Sequence, residues 1–210
     1  MTRYVTYKNE EFQKKHGGPD FWFKHVNDTA FPSILEGYPE YEKVYLDLCK
    51  ERRVVIQAGG YAGIFPRMLS EHFDMVYTFE PDPDNFHCLS MNCQKPNIVK
   101  MQAALGENAG MVQVNRNHST NLGMHTVSAI DNPGYPILRL DDFYFPACDL
   151  IALDVEGFER YILDGSLLLI NQFKPVISVE DTNEHIEKFL ASVGYSEKAK
   201  VYRDTIYAVG

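Results

Sequence analysis

The chain has 210 residues, 45% of them hydrophobic and 23% charged, with a formal net charge of −9. That balance excludes a disordered chain, and the acidic excess argues against nucleic acid as a partner, which calls for a basic footprint. No segment approaches the roughly 20 apolar residues that cross a bilayer, and residues 1–18 carry no apolar signal core, so a cytoplasmic protein with no membrane span is expected.

Residues 1–52 open rich in aromatics (Tyr4, Tyr7, Phe12, Phe21, Trp22, Phe23, Phe31) and are weakly periodic until residues 39–50, which read as one amphipathic helix. We take 1–52 as a cap on a domain formed by residues 53–210. From there, strand-like and helix-like segments alternate, the pattern of a sheet covered on both faces. Residues 53–58 are a β-branched run ending in glycines, followed by a helix over 64–72 that shows Ile64, Phe65, Met68 and Leu69 on one face. Pro66 is tolerated there in the first turn. A strand over 75–79, a helix over 83–92 and a third strand over 98–105 come next.

Residues 106–136 are polar, rich in Gly, Asn, His, Ser and Thr, and are expected to form edge hairpins and loops over the mouth of a site. The apolar run Leu150-Ile151-Ala152-Leu153 then suits a central strand buried on both faces. A helix over 158–171, a strand over 175–180 and a helix over 183–193 follow, the last ended by Gly194. Two final strands, 195–201 and 204–209, turn at Tyr202-Arg203. The sum is an α/β fold in which five parallel strands and a C-terminal antiparallel hairpin make a seven-stranded, mostly parallel sheet. The four cysteines (Cys49, Cys88, Cys93, Cys148) form no CxxC pair and read as buried thiols.

Three motifs carry chemistry. Gln57-Ala58-Gly59-Gly60-Tyr61-Ala62-Gly63 joins a strand to a helix, and its glycines let backbone approach a ligand closely. Tyr61 stands where a dinucleotide fingerprint has its second glycine, which disfavours a nicotinamide cofactor. Glu80, followed by Pro81 and Asp82, lies 21 residues after Gly59 at a strand tip, where an acid can accept both hydroxyls of a ribose. Leu153-Asp154-Val155-Glu156-Gly157-Phe158-Glu159 delivers Asp154 and Glu156 to the carboxyl edge of the sheet; Glu159 reads equally as a helix-start anion.

With these motifs in place, the chain resembles the FkbM-type methyltransferases. The matching pieces are VVIQAGGYAG, TFEPDPDNFHCLSMN, QAALGE, LRLDDF, LIALDVEGFERYILDG and PVISVE, in the family's order across about 130 residues. The family usually has Asp at the Gln57 position and GAN at Gly59-Gly60-Tyr61. The resemblance implies a Rossmann-like class I methyltransferase with helices on both sheet faces, S-adenosylmethionine as donor, and O-methylation of a sugar, a glycan or another small hydroxylated metabolite. It implies that Gln57, Ala58, Gly59, Gly60, Tyr61 and Gly63 hold the methionine end. Glu80, with Pro81 and Asp82, would hold the ribose, Ala103 and Ala104 would border the adenine, and Asp154 would sit near the donor's amino group or the acceptor.

A hydroxyl acceptor needs a base, and Asp154, Glu156, His118 and His125 are the candidates, Glu156 serving also as an acceptor anchor. A divalent cation on Asp154, Glu156 and Asp181 is the alternative way to acidify the hydroxyl, and is not favoured. Two other readings stand beside these: a non-catalytic binding module that retains the fold, and a nicotinamide-dependent oxidoreductase. The sequence leaves the oligomeric state open.

Overall fold

The computed structural model describes residues 5–7, 21–23, 30–115, 126–129 and 134–210. Two short strands, Val5–Tyr7 (β1) and Phe21–Phe23 (β2), pair antiparallel ahead of a long helix, Ala30–Leu48 (α1). The alternating part then begins with Val54–Ala58 (β3), Ile64–Leu69 (α2), Met75–Phe79 (β4), Pro83–Asn92 (α3) and Ile98–Met101 (β5). A polar stretch holds Ala104–Leu105 (β6), Gly110–Asn115 (β7), Thr126–Ala129 (β8) and Tyr135–Leu138 (β9). The last part is Leu150–Leu153 (β10), Glu159–Asp164 (α4), Leu167–Phe173 (α5), Val176–Glu180 (β11), Glu184–Ser192 (α6), Tyr195–Val201 (β12) and Asp204–Val209 (β13).

Side-chain alternation along β3 sets the layers. Val54, Ile56 and Ala58 join one apolar cluster with Leu153, Ile162, Leu169 and Leu190, which brings α4, α5 and α6 onto that face. Val55 joins the opposite cluster with Tyr45, Leu69 and Leu89, which brings α1, α2 and α3 onto the other. A strand buried on both sides must be apolar throughout, and all five residues of β3 but Gln57 are. The sheet order is β12-β13-β11-β10-β3-β4-β5, parallel except for β13, which runs antiparallel between β11 and β12. This is the expected seven-stranded mixed sheet with its terminal hairpin. All four cysteines are buried thiols.

Three elements differ from expectation. Helix α1 begins nine residues earlier than the sequence reading, with Pro39 inside it. Proline removes one bond, the N–H to the Leu35 carbonyl, but buried Leu35, Tyr38, Tyr45 and Cys49 hold the helix against the domain. The third strand is divided: β5 stays in the main sheet, while β6 leaves it for a second sheet of order β6-β9-β7-β8 built from the polar stretch. The helix expected over 158–171 is two helices. At Gly165 the backbone lies so close to Gly106 that a Cβ would sit 2.1 Å from the Gly106 carbonyl oxygen. The Asp141 carboxylate then accepts the N–H groups of Leu168 and Leu169 at 3.1 and 3.0 Å, satisfying the exposed start of α5. Asp141 of the LRLDDF motif is thus a structural cap. No helix among the described residues is long and apolar enough to cross a membrane.

Candidate active site

The loop after β3 is built around one close approach. Gly59 has φ +83°, and a Cβ there would lie 1.7 Å from the Asp154 carbonyl oxygen, so only glycine lets this loop rest on the tip of β10. The N–H groups of Gly59 and Gly60 both donate to the Phe79 carbonyl, at 3.1 and 2.9 Å, which ties the loop to β4. Gln57, the one polar side chain of β3, is buried. Its amide donates to the carbonyls of Ala58 and Gly59 at 3.1 and 2.8 Å, and its carbonyl accepts the Thr78 hydroxyl at 2.6 Å. Every polar atom of Gln57 thus goes into holding the loop.

Glu80 faces this loop from the tip of β4. One carboxylate oxygen accepts the Tyr61 N–H at 2.7 Å and the other the Asp82 N–H at 2.8 Å. The Asn85 side chain also donates to this carboxylate, so what is left for a further donor is the acceptor capacity beyond these three partners. Burial pushes the Glu80 pKa up to about 7, against the lowering effect of the Asp82 and Tyr61 N–H groups and of Asn85.

Two cavities meet here. The first is a narrow slot of about 60 Å³ lined by Ala58, Gly59, Tyr61, Phe79, Glu80, Pro81, Ala103, Ala104 and Asp154 among the expected residues and their neighbours. Asn85, Leu105, Val127, Val155, Phe158 and Ile34 complete it, none of them singled out from the sequence. The second is wider, about 570 Å³, and shares Ile34 and Asp154 with the first. Gln57 and Glu156 line this second cavity rather than the slot. Gly60 and Gly63 are packing positions: a Cβ on Gly60 would meet the Leu89 side chain at 2.3 Å, and one on Gly63 the Cys93 sulfur at 2.8 Å. Asp82 is fully buried and caps α3 by accepting the N–H groups of Asp84 and Asn85 at 2.8 and 3.1 Å. His118 and His125 lie outside the described residues.

The second cavity is floored by carboxylates from three strand ends. In the parallel register Leu153 pairs with Val179, so the next residues, Asp154 and Glu180, come side by side. Burial, then the hydrogen bond and charge of Glu180, then Asp204 and Glu156 hold the Asp154 carboxyl well above the usual carboxylate range. Asp204 accepts from the Ser178 hydroxyl at 2.8 Å and from Tyr41 at 3.1 Å, and burial raises its pKa to about 6. Glu159 folds inward, accepting the N–H groups of Val155 and Gly157 at 3.3 and 3.2 Å. That bond shapes the turn in which Glu156 takes the left-handed conformation, φ 53°. Asp154, Glu156 and Glu180 each bring a carboxylate oxygen within 4.8 Å of the others, the span a divalent cation could bridge. The third member of that group is Glu180 and not Asp181, whose carboxylate is exposed and paired with Arg203. Walls come from α1 and the hairpin, where the Tyr41 and Tyr202 rings stack at 5.9 Å.

A family model described as the methyltransferase FkbM domain matches residues 61–197. The chain belongs to the FkbM methyltransferase family. The match starts at Tyr61, just past Gly59 and Gly60, and takes in Gly63, Glu80, Asp154, Glu156 and Glu180. The FkbM chain is also 23% identical over 186 residues to the hexuronic acid methyltransferase AglP of Haloferax volcanii, covering 84% of this chain and 77% of the relative. Among solved structures it is similar to the FkbM methyltransferase of Methylobacillus flagellatus KT, with TM-score 0.52 at 14% identity over 83% of this chain. It spans about half, 53%, of that protein's length. M. jannaschii TYW2, solved in complex with AdoMet, gives TM-score 0.51 at 14% identity, covering 100% of this chain and 88% of that one. These likenesses establish the class I methyltransferase fold, and the family match sets aside the oxidoreductase reading.

Proposed function

We propose that this FkbM-family protein is an S-adenosylmethionine-dependent O-methyltransferase acting on a hydroxyl of a sugar or other small polyol. The observation that carries the reading is the meeting of two cavities at one carboxylate, with the buried Glu80 carboxylate in the first and Asp154 shared by both. When bound, S-adenosylmethionine supplies a methyl group made electrophilic by its sulfonium sulfur. Glu80 would hold the ribose through the acceptor capacity that Tyr61, Asp82 and Asn85 leave it. Ala103, Ala104, Leu105 and Phe158 offer the adenine small and apolar walls. Asp154 takes the acceptor's hydroxyl proton onto its carboxylate, and Glu156 anchors the acceptor. Holding the reactants in one geometry contributes on the order of 7–11 kcal/mol to such a reaction, so most of the protein's work is alignment. The acidic floor and the net charge of −9 speak against nucleic acid as the acceptor.

The direct test is incubation with S-adenosylmethionine and a panel of sugars and polyols, followed by mass spectrometry of the products. One added methyl on oxygen is expected. A methyl found only on nitrogen or carbon would refute the reading.

A pH dependence follows from Glu80. With its pKa near 7 in the free protein, the carboxylate is mostly protonated below that pH and accepts a ribose hydroxyl more weakly. A proton then competes with the ligand, so affinity is full above pH 7 and lost as pH falls through it. S-adenosylhomocysteine should bind roughly tenfold more weakly at pH 6 than at pH 8. Calorimetric titration at the two pH values checks this; equal affinities would contradict it.

A further inference from the structure

The acceptor cavity is lopsided in charge. Glu36, Asp154, Glu156, Glu180 and Asp204 face Arg203, the one cationic lining residue among the described residues. Arg203 is already engaged, with a nitrogen 2.9 Å from Glu180 and another 3.0 Å from Asp181. Asp204 is held by Ser178 and Tyr41, and Asp154 borders the donor slot as well. Glu156 is different. Its carboxylate makes no hydrogen bond and no close ion pair among the described residues, feeling the Arg203 charge only at longer range, and it stands half-buried in the cavity wall on a left-handed backbone that non-glycine residues rarely adopt. Beside it, the stacked Tyr41 and Tyr202 rings offer electron-rich faces of the kind that attract cations.

We propose that this cavity selects an acceptor carrying a protonated amine near its hydroxyl, with Glu156 as the cation's partner, and rejects acceptors that carry a carboxylate. The inference rests on the acceptor site proposed above. An ammonium donates to up to three oxygens and is drawn to carboxylate, whereas a uronate would bring a further negative charge to a floor already crowded with carboxyl groups. The selectivity would separate this chain from the relative named for hexuronic acid.

The test is calorimetry on the full chain saturated with S-adenosylhomocysteine, whose own binding is recorded first. Three ring-matched probes are then titrated: 2-amino-2-deoxyglucose, glucose and glucuronate. The amino sugar is expected to bind at least tenfold more tightly than glucuronate, with glucose between them. Glu156→Gln, which keeps size and fold, should shrink that preference to threefold or less. Glucuronate binding as tightly as the amino sugar, with or without added Mg²⁺, would overturn the proposal. So would an undiminished preference in Glu156→Gln, or no binding of any probe to the S-adenosylhomocysteine complex. Failure of S-adenosylhomocysteine itself to bind would instead remove the methyltransferase reading, and this proposal with it.

Discussion

Asp154→Asn is expected to slow methyl transfer by about 10²–10⁴-fold, the usual contribution of a positioned base. Asp154 borders both cavities, and its neighbours Glu180, Asp204 and Glu156 raise its affinity for a proton. A carboxylate so placed is a stronger base than one in water, because burial and its carboxyl neighbours favour the protonated form. Asparagine preserves the shape and its amide can donate to Glu180, so the fold should stand. Removing one of several crowded carboxyl groups should leave the melting temperature unchanged or higher. The loss should therefore fall on kcat, and the acid limb of the kcat profile against pH should disappear with the group that titrates. A kcat within tenfold of the native value would show that the hydroxyl loses its proton elsewhere.

The second large effect is structural. Gly59→Ala should lose roughly 3 kcal/mol or more of stability, from a left-handed backbone and an overpacked contact together. The contact is severe because the atom met is backbone: a Cβ would lie 1.7 Å from the Asp154 carbonyl oxygen, which cannot swing aside as a side chain would. Gly194→Ala is the control. Its φ is +91°, yet nothing lies within 4 Å of a Cβ there, so only the conformational cost of roughly 1–2 kcal/mol applies. Urea unfolding of both variants separates the two terms. Equal losses would mean that the Gly59 loop can move away from β10 at little cost.

Much of this was legible in the residues because it depends on local pattern. The β-branched run into glycines located the loop, and Glu80 stood out by its distance from Gly59 and its place at a strand tip. The terminal hairpin was readable from two strand patterns flanking Tyr202-Arg203, and Asn183 marked the start of α6, where its side chain accepts the His185 and Ile186 N–H groups. The floor of the second cavity was not legible. Glu180, Asp204 and Tyr41 reach it from β11, β13 and α1, and which strands become neighbours is decided by sheet order, not by any segment's own pattern. The unfavoured cation set named Asp181 beside Asp154 where Glu180 stands, because only the register of β10 on β11 distinguishes the two. The early start of α1 was hidden by Pro39, whose lost hydrogen bond is outweighed by buried tyrosines that no local rule weighs. Gln57, where the family usually has aspartate, is accounted for by its bonds to Ala58, Gly59 and Thr78. Its role is to fix the loop.

The measurement that bears most directly on the central claim is calorimetric titration of S-adenosylhomocysteine into the native chain and into Glu80→Ala at pH 8. The native protein should bind at micromolar concentration, and the loss of the Glu80 carboxylate should weaken binding at least tenfold, on the order of 1.4 kcal/mol or more. No binding to the folded native chain, or equal binding by Glu80→Ala, would contradict the assignment of the slot to the methyl donor and leave a binding module that has kept only the fold.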